Sequence, residues 1–242
     1  MKIETARFVL AAHEQTDFLC DGRPEIALVG RSNVGKSSLL NRLVGRARLA
    51  RISSSPGRTR AVNYFLINER FYLVDLPGYG FAKVSKRERE GWARLMDAYF
   101  RRDEAAVSVI QLVDAKVGAT PLDVEAWEYL AALEVPATVV ATKIDRLRRG
   151  RRKATLDGIR AELDLGETQL VPFSARTGEG TKDVWRAIGA RLTTHSAPAG
   201  SGGPPPRRPA ASRARRRAGR CRDRRPTACR AGAARPRAPP AR

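Results

Sequence analysis

The sequence predicts an α/β domain: a six-stranded, mostly parallel sheet with one antiparallel edge strand and helices on both faces. Three observations support this fold class. Short β-branched runs alternate with helical patterns, a motif with two glycines joins the first run to the first helix, and the composition changes abruptly near residue 194. We therefore expect one domain over residues 1–194, followed by a tail over residues 195–242.

The six predicted strands share a high content of Val, Ile, Leu and Phe. They are Ile26–Val29, Val62–Ile67, Phe71–Val74, Val107–Val113, Ala137–Ala141 and Leu170–Phe173. Only residues 68–70 separate the second strand from the third, which is too short for a crossover helix, so these two strands are expected to pair antiparallel.

Two helices are predicted with particular clarity. One follows the first strand, over Ser38–Val44. The other contains five apolar residues at helical spacing, which are Trp92, Leu95, Met96, Tyr99 and Phe100. Charged residues occupy its opposite face, so we expect the apolar stripe to pack against the sheet.

The positive charge is concentrated in the tail. The 242 residues carry a formal net charge of +21, and residues 195–242 hold 14 arginines against one acid, Asp223, a net charge of +13. The tail has no Leu, Ile, Val, Phe, Trp or Tyr, so it cannot bury enough apolar surface to offset chain entropy and is expected to be disordered. Two interpretations stay open. The tail is either a polycationic arm that binds RNA or a segment with no selected role, because translation of GC-rich DNA in a wrong reading frame gives a similar repetitive composition of Ala, Arg, Pro and Gly.

Several classes of protein are excluded. No run approaches the roughly 18 to 20 apolar residues of a membrane span, so an integral membrane protein is not expected. The N-terminal apolar piece, Phe8–Ala12, is too short for a signal peptide. The three cysteines, Cys20, Cys221 and Cys229, lack the spacing of a disulfide framework or zinc site. We therefore expect a cytoplasmic protein.

The turn after the first strand carries G-x-x-x-x-G-K-S, the pattern of a phosphate-binding loop. Its residues are Gly30, Arg31, Ser32, Asn33, Val34, Gly35, Lys36 and Ser37, followed by Ser38. The glycines let the backbone turn tightly so that its N–H groups face a phosphate, and the helix N-terminus adds a favourable field. Lys36 is expected to contact the β and γ phosphates, and the Ser37 hydroxyl suits Mg²⁺.

The identity of the base is predicted from the end of the fifth strand. The motif there consists of Thr142, Lys143, Ile144 and Asp145. Guanine presents two adjacent donors that one carboxylate accepts together, whereas adenine presents a donor beside an acceptor, so Asp145 favours GTP over ATP. The stem of Lys143 can cover the base plane. A third element after the sixth strand, where a backbone N–H can reach guanine O6, consists of Phe173, Ser174 and Ala175.

A D-x-x-G pattern follows the third strand. It consists of Asp75, Leu76, Pro77 and Gly78. Asp75 is expected to hold the metal through water, and the Gly78 amide to contact the γ phosphate. Upstream, residues 53–59 lack core-forming side chains and are expected to form a mobile loop, which ends in Gly57, Arg58 and Thr59. Thr59 is a candidate Mg²⁺ ligand; an ordinary turn role also stays open, because spacing does not distinguish it from the serines.

Together, GRSNVGKS, PGRT, DLPGYG, TKID and SA resemble the translation-factor-related P-loop GTPases. Within that class the chain resembles the EngB family of bacterial ribosome-biogenesis GTP-binding proteins, on RSNV at 31–34, SSPGRT at 54–59 with Asn63, and DLPGYGFA at 75–82. The resemblance covers residues 4–193. It implies a Ras-like GTPase domain that binds GTP or GDP with Mg²⁺ in the cytoplasm, assists assembly of the large ribosomal subunit, and is linked to cell division and septation.

The resemblance also assigns roles to single positions. Residues 30–37 would bind phosphate, Ser37 and Thr59 the metal, Asp75 and Gly78 the γ-phosphate side, and residues 142–145 and 174–175 the base. Many signalling GTPases orient the attacking water with a glutamine where this chain has Tyr79, so we assign no catalytic base and expect slow hydrolysis until a partner completes the site. In potassium-stimulated relatives an asparagine at the position of Asn33 helps hold K⁺, which makes K⁺ a further candidate cofactor.

The expected partner of a monomeric chain is the large-subunit precursor, with its rRNA and ribosomal proteins. Two basic clusters are candidate RNA-facing surfaces: one with Lys83, Lys86, Arg87, Arg89, Arg101 and Arg102, and the run RLRRGRRK at 146–153. A solvated face is the alternative for each. Two other functions stay open: a P-loop kinase acting with ATP, which leaves TKID without a purpose, and a GTPase switch acting on a membrane or divisome partner.

Overall fold

The structure is a computed structural model that describes residues 1–50, 61–80, 86–102 and 107–196. The strands of its sheet are β1 (Ala6–Ala12), β2 (Glu25–Gly30), β3 (Val62–Ile67), β4 (Phe71–Asp75), β5 (Val107–Asp114), β6 (Ala137–Thr142) and β7 (Leu170–Pro172). The helices are α1 (Lys36–Val44), α2 (Lys86–Phe100), α3 (Pro121–Ala132), α4 (Arg149–Glu162) and α5 (Thr181–Ser196). Short 3-10 turns lie at Gln15–Asp17, Ile144–Arg146 and Glu167–Gln169.

One sheet joins all the described strands in the order β1-β3-β4-β2-β5-β6-β7. Strands β4, β2, β5, β6 and β7 are mutually parallel, and β3 pairs antiparallel with β4. The predicted α/β class, the six predicted strands and the antiparallel pairing at one side of the sheet are therefore confirmed. Asn68 and Glu69 adopt positive φ angles of 49° and 54° at the centre of the tight β3–β4 turn, where the Arg70 N–H donates to the Ile67 carbonyl oxygen.

The predicted number of strands was one too few, because the sequence pattern did not reveal β1. This strand pairs antiparallel with β3 and covers its outer edge, and its register shifts between Phe8 and Leu10. The irregularity interrupts the alternation of buried and exposed side chains, and Phe8 is 49% exposed. A strand with a broken period of two carries little signal in the sequence.

Helices cover both faces of the sheet, as predicted. Ile26 and Leu28 of β2 point to a cluster that contains α1 and α5 residues, whereas Ala27 and Val29 point to the opposite face. That second face holds α2 and α3, and α4 packs further along it. Met96 and Tyr99 of the predicted apolar stripe are buried there, which confirms its packing role.

Two predicted segments lie wholly or largely outside the described residues. The expected mobile loop at 53–59 lies within residues 51–60, and most of the expected tail lies within residues 197–242. Helix α5 includes His195 and Ser196, the first two residues assigned to the tail. Among the described helices, none combines the length and apolar character of a membrane span.

Candidate nucleotide-binding site

The predicted motifs converge because four parallel strands end at the same edge of the sheet. Strand β2 ends at Gly30, β4 at Asp75, β6 at Thr142 and β7 at Pro172. In open α/β sheets, ligands bind at the carboxyl ends of the strands, so loops that are far apart in sequence line one crevice. The described part of each motif lies at this edge.

The loop between β2 and α1 curls tightly around its own backbone. A Cβ atom on Gly30 would lie 2.9 Å from the Leu112 carbonyl oxygen and from Val34 Cγ1, so only glycine fits there. Gly35 has a φ of 116°, which is unfavourable for other residues, and its carbonyl accepts the Leu39 N–H at 2.8 Å to begin α1. The loop therefore has the shape that phosphate binding requires.

Lys36 spans the inside of this loop. Its ammonium donates to the Gly30 carbonyl oxygen at 3.1 Å, and the side chain is buried. Burial lowers the pKa of Lys36, and the nearby Asp75 carboxylate partly opposes that shift. The chain thus holds a buried ammonium group inside the loop, a position suited to a phosphate ligand.

Ser37 and Asp75 form the candidate metal site. The Ser37 hydroxyl donates to Asp75 Oδ2 at 3.2 Å, while the buried Asp75 Oδ1 has no hydrogen-bond partner among the described residues. Burial raises the pKa of Asp75, against the opposing effects of Lys36 and Ser37. An unsatisfied buried carboxylate oxygen beside a hydroxyl fits the oxygen ligands that Mg²⁺ prefers. Gly57, Arg58 and Thr59 lie outside the described residues.

The segment after β4 lies directly against the phosphate-binding loop. Leu76 and Pro77 are buried, and the Ser32 N–H donates to the Tyr79 carbonyl oxygen at 3.0 Å. A Cβ atom on Gly78 would lie 2.9 Å from Lys36 Nζ and from the Ser32 N and Oγ atoms. Gly78 therefore sits where its backbone can respond to a ligand on Lys36.

The Tyr79 side chain points toward α3. Its hydroxyl donates to Asp123 Oδ1 at 2.9 Å, and burial followed by the Asp123 charge raises the pKa of Tyr79. Asp123 is fully buried and also pairs with Arg31 of the phosphate-binding loop, at 3.0 Å, and with the Thr120 hydroxyl. Asp123 was not predicted as a site residue, although T-x-x-D at 120–123 is a helix-capping signal.

The base-side motif is bonded to the phosphate-side motif. Thr142 Oγ1 donates to the Val34 carbonyl oxygen at 2.8 Å, and Lys143 Nζ donates to the Asn33 carbonyl oxygen at 2.7 Å. Lys143 also pairs with Asp114 at 2.6 Å, an interaction that the sequence did not reveal. These bonds fix the relative position of the two motifs.

The Asp145 carboxylate is oriented by two donors. Ser174 Oγ donates to Oδ1 at 2.6 Å, and Arg176 Nε donates to Oδ2 at 2.8 Å. The Ser174 hydrogen bond and then the Arg176 guanidinium lower the pKa of Asp145, so the group is ionised and able to accept two N–H donors. The buried Ile144 joins the two segments, because its N–H donates to the Phe173 carbonyl oxygen at 3.3 Å.

A pocket of about 830 Å³ lies on the base side of the site, next to the start of α1. Its lining includes Val34, Gly35, Lys143, Asp145, Phe173 and Ala175. The volume falls in the range of ligand pockets in proteins. Phe173 and Ala175 line the pocket together with one carboxylate, Asp145, and this combination suits a flat base with donors on one edge.

Comparisons with known proteins identify the family. A family model described as 50S ribosome-binding GTPase matches residues 25–143. A probable GTP-binding protein EngB of Pelotomaculum thermopropionicum is 51% identical over 190 residues, which cover 78% of this chain and 96% of that protein. The chain belongs to the EngB family of GTP-binding proteins. The EngB of Geobacillus kaustophilus is 43% identical over 189 residues, covering 78% and 97% of the two chains.

Solved structures share the fold of this chain. A crystal structure of a probable GTP-binding protein EngB matches with a TM-score of 0.57 and 24% identity, over 70% of this chain and 99% of that one. Era, in complex with MgGDPNP and nucleotides 1506–1542 of 16S ribosomal RNA, matches with a TM-score of 0.55 and 28% identity, over 70% of this chain and 56% of its own. The chain is thus a P-loop GTPase of the EngB family, a GTP-hydrolysing enzyme that binds guanine nucleotides.

Three contacts that hold candidate site residues were not predicted from the sequence. Asp114 holds Lys143, Asp123 holds Tyr79, and Arg176 holds Asp145. Each partner is separated from its target by about 30 residues or more, so no local pattern reveals the pairing. They support the motif residues rather than replace them.

Proposed function

We propose that the chain is a GTP-operated switch that associates with the large ribosomal subunit precursor in one nucleotide state and releases it in the other. The observation that carries the proposal is the contact between Ser32 and Tyr79. The Ser32 N–H that a phosphate-binding loop offers to its ligand is here bonded to the Tyr79 carbonyl oxygen, with Gly78 against Lys36. A third phosphate near these atoms competes for that donor, so the segment after β4 must move.

Different residues of the site would bind different parts of the nucleotide. The amides of residues 30–37 and the Lys36 ammonium would hold the phosphates, and Ser37, Asp75 and Thr59 would hold Mg²⁺. When bound, Mg²⁺ neutralises charge on the phosphate oxygens. Asp145 would accept the N1–H and N2–H₂ donors of guanine while Lys143 and Ala175 border the ring. The Tyr79 hydroxyl is turned toward Asp123, so hydrolysis is slow until the ribosomal partner supplies the missing group.

The Mg²⁺ cofactor and the ribosomal partner are proposed on the basis of the relatives. The family model is described as ribosome-binding, and Era is known with both MgGDPNP and a ribosomal RNA fragment. These support Mg²⁺ as cofactor and a ribosomal precursor as partner. A cytoplasmic, monomeric chain completes the proposal. A defect in cell division or septation would then follow from failed subunit assembly.

Potassium stimulation is a separate proposal that depends on Asn33. This residue is exposed at the turn of the phosphate-binding loop, with a φ of 64°. We expect faster GTP hydrolysis in K⁺ than in Na⁺ at equal ionic strength. Equal rates in the two salts would remove K⁺ from the mechanism.

Co-sedimentation with purified large ribosomal subunits tests the switch. The full chain is mixed with subunits under GDP or a non-hydrolysable GTP analogue, each at two salt concentrations. We expect binding in the triphosphate state that survives the higher salt. Binding that is equal in both nucleotide states and is lost at the higher salt concentration would contradict the switch, because it reflects only general attraction between opposite charges.

A further inference from the structure

Four arginines in the Ile144–Arg146 turn and at the N-terminus of α4 form an exposed basic surface. Arg146, Arg148, Arg149 and Arg151 are all exposed, and none has an ion pair or side-chain hydrogen bond within the described part of the chain. We propose that this arginine surface docks the phosphate backbone of double-stranded RNA. The proposal rests on the ribosomal function above, for which it names the contact surface.

The structure separates this surface from the other basic residues of the same run. Arg152 pairs with Glu179 at 3.0 Å, and Lys153 pairs with Asp157 at 2.9 Å. Asp157 also pairs with Arg160. The acids within reach therefore neutralise the later residues of the run and leave the four arginines uncompensated.

The second basic cluster from the sequence loses two of its members. Arg102 is buried against Glu25 at 2.8 Å, with its side chain only 8% exposed, and Arg101 pairs with Asp97. Neither is an unpaired surface charge. The remaining side chains of that cluster, at residues 83–89, lie outside the described residues.

Three of these arginines, Arg148, Arg149 and Arg151, lie at the N-terminus of α4, where positive charge is unfavourable. Helix α4 has no acidic residue in its first turn, and its N-cap residue, Arg148, makes no side-chain capping bond. The positive end of a helix dipole favours acids, and neighbouring like charges repel each other. A polyanionic partner relieves both effects at once.

The chemistry of the surface fits RNA phosphates better than a protein groove. Guanidinium groups bind phosphate oxygens in pairs, and four of them within six residues suit consecutive phosphates. Leu147 packs inward against the core, and Gly150 faces open space without a side chain. The surface therefore offers charge and close backbone approach, with no apolar anchor for a protein partner.

RNA docked on this surface lies beside the guanine site. Arg146 follows Asp145 directly and lines the same pocket. The Arg152–Glu179 pair joins α4 to the loop that carries Ser174, whose N–H donates to the Glu179 carbonyl oxygen at 3.0 Å. The arginine surface and the base-binding loop are thus connected parts of one edge of the domain.

A triple variant tests the surface in the full chain. Arg148→Gln/Arg149→Gln/Arg151→Gln removes three exposed charges and spares Arg146 in the pocket. The matched control, Arg70→Gln/Arg94→Gln/Lys182→Gln, removes three exposed, unpaired charges elsewhere on the described domain. The probe is an RNA duplex of about 20 base pairs, titrated at several salt concentrations. All three proteins share residues 197–242, so the tail contributes equally.

We expect the arginine variant to bind the duplex about 10-fold more weakly than the unmodified chain, and its slope of log K against log salt to fall by about 2 to 3. The control should stay within about twofold, and GDP affinity should be unchanged in both, which confirms folding. Equal weakening of both variants, or of neither, would overturn the surface. If the arginine variant no longer bound large subunits but still bound the duplex, the proposal would also be overturned, because the surface would then contact a ribosomal protein and not RNA.

The same samples separate this proposal from the switch itself. If the unmodified chain does not bind large subunits in any nucleotide state, the proposed ribosomal function is wrong. If the arginine variant then still loses the duplex while the control keeps it, the RNA surface stands on its own.

Discussion

Tyr79 shows how one residue can occupy a catalytic position without taking a catalytic role. Its hydroxyl is bonded to the buried Asp123, which is also held by Arg31 and Thr120. The Tyr79 carbonyl oxygen accepts the Ser32 N–H of the phosphate-binding loop, whereas its ring points away from that loop toward α3. We infer that the side chain anchors the segment to α3 and takes no part in orienting water.

Tyr79→Phe tests this division of roles. The variant keeps the ring and loses the hydroxyl, so GTP turnover should stay within about twofold, while stability falls by about 1 to 3 kcal/mol because Asp123 loses a buried donor. Turnover assays and thermal unfolding measure the two effects. Tyr72→Phe, which removes a hydroxyl bonded to Asp21, is the matched control. A turnover loss of 10-fold or more with GTP binding intact would show that the hydroxyl acts in catalysis.

Arg102 is predicted to be far more important for stability than its neighbour Arg101. It pairs with the buried Glu25 and stacks 4.4 Å above the Tyr99 ring, whereas Arg101 is exposed. Arg102→Ala leaves an uncompensated buried carboxylate and should cost about 3 to 5 kcal/mol at pH 7. Arg101→Ala should change the free energy of unfolding little.

The cost of Arg102→Ala should also depend on pH. Burial already raises the pKa of Glu25, and without Arg102 the shift grows. A carboxyl group with a raised folded-state pKa destabilises the fold as pH rises from the unfolded value toward the folded one. Urea unfolding should therefore show a smaller loss at pH 5 than at pH 7. An equal loss at both pH values would mean that Glu25 is not the group responsible.

At the scale of elements, the loop between β7 and α5 holds the base-binding side chains through a glycine turn. Gly180 has a φ of 78°, and a Cβ atom there would lie 1.9 Å from the Pro172 carbonyl oxygen. The Gly180 carbonyl accepts the Val184 N–H at 3.0 Å, which starts α5. The turn thus fixes the loop that carries Ser174 against the end of the strand.

Gly180→Ala should weaken GDP binding by about 10-fold or more and lower thermal stability, because the loop must shift away from Pro172. The control is Gly189→Ala in the middle of α5, where a Cβ atom has no neighbour within 4 Å. That change should stabilise the fold by about 0.5 to 1 kcal/mol. GDP titration and thermal unfolding of both variants provide the measurement. Unchanged GDP affinity in Gly180→Ala would refute the role of the turn.

The sequence predicted elements where one local rule dominates. The β3–β4 hairpin followed from a three-residue connection, and the phosphate-binding loop from its glycines and its place between strand and helix. Strand β1 was missed because an irregular register breaks its period. Asp123 and Arg176 were missed because their contacts depend on where the sheet order brings distant loops together.

At the scale of the whole molecule, positive charge is divided between the described domain and residues 197–242. We predict that deleting residues 197–242 preserves nucleotide-dependent binding to large ribosomal subunits, since the arginine surface and the switch segment remain. Duplex RNA affinity should fall at low salt, because general phosphate attraction decreases. Loss of subunit binding in the shortened chain would assign that binding to the tail.

The phosphate and base sides of the site act as one unit because Thr142 and Lys143 are bonded to the carbonyls of Val34 and Asn33. This site selects guanine only if the Asp145 carboxylate accepts hydrogen bonds from both donors of the guanine ring. Xanthine carries an acceptor oxygen in place of the 2-amino group, so Asp145→Asn, whose amide both donates and accepts, reverses the preference.

Competition binding of GDP, xanthosine diphosphate and ADP to the unmodified chain and Asp145→Asn tests this claim most directly. We predict that the variant binds GDP at least about 100-fold more weakly and gains affinity for xanthosine diphosphate. ADP should stay weak in both. If the variant kept the preference of the unmodified chain for GDP, another group would have to read the base, and the assignment of Asp145 would be wrong.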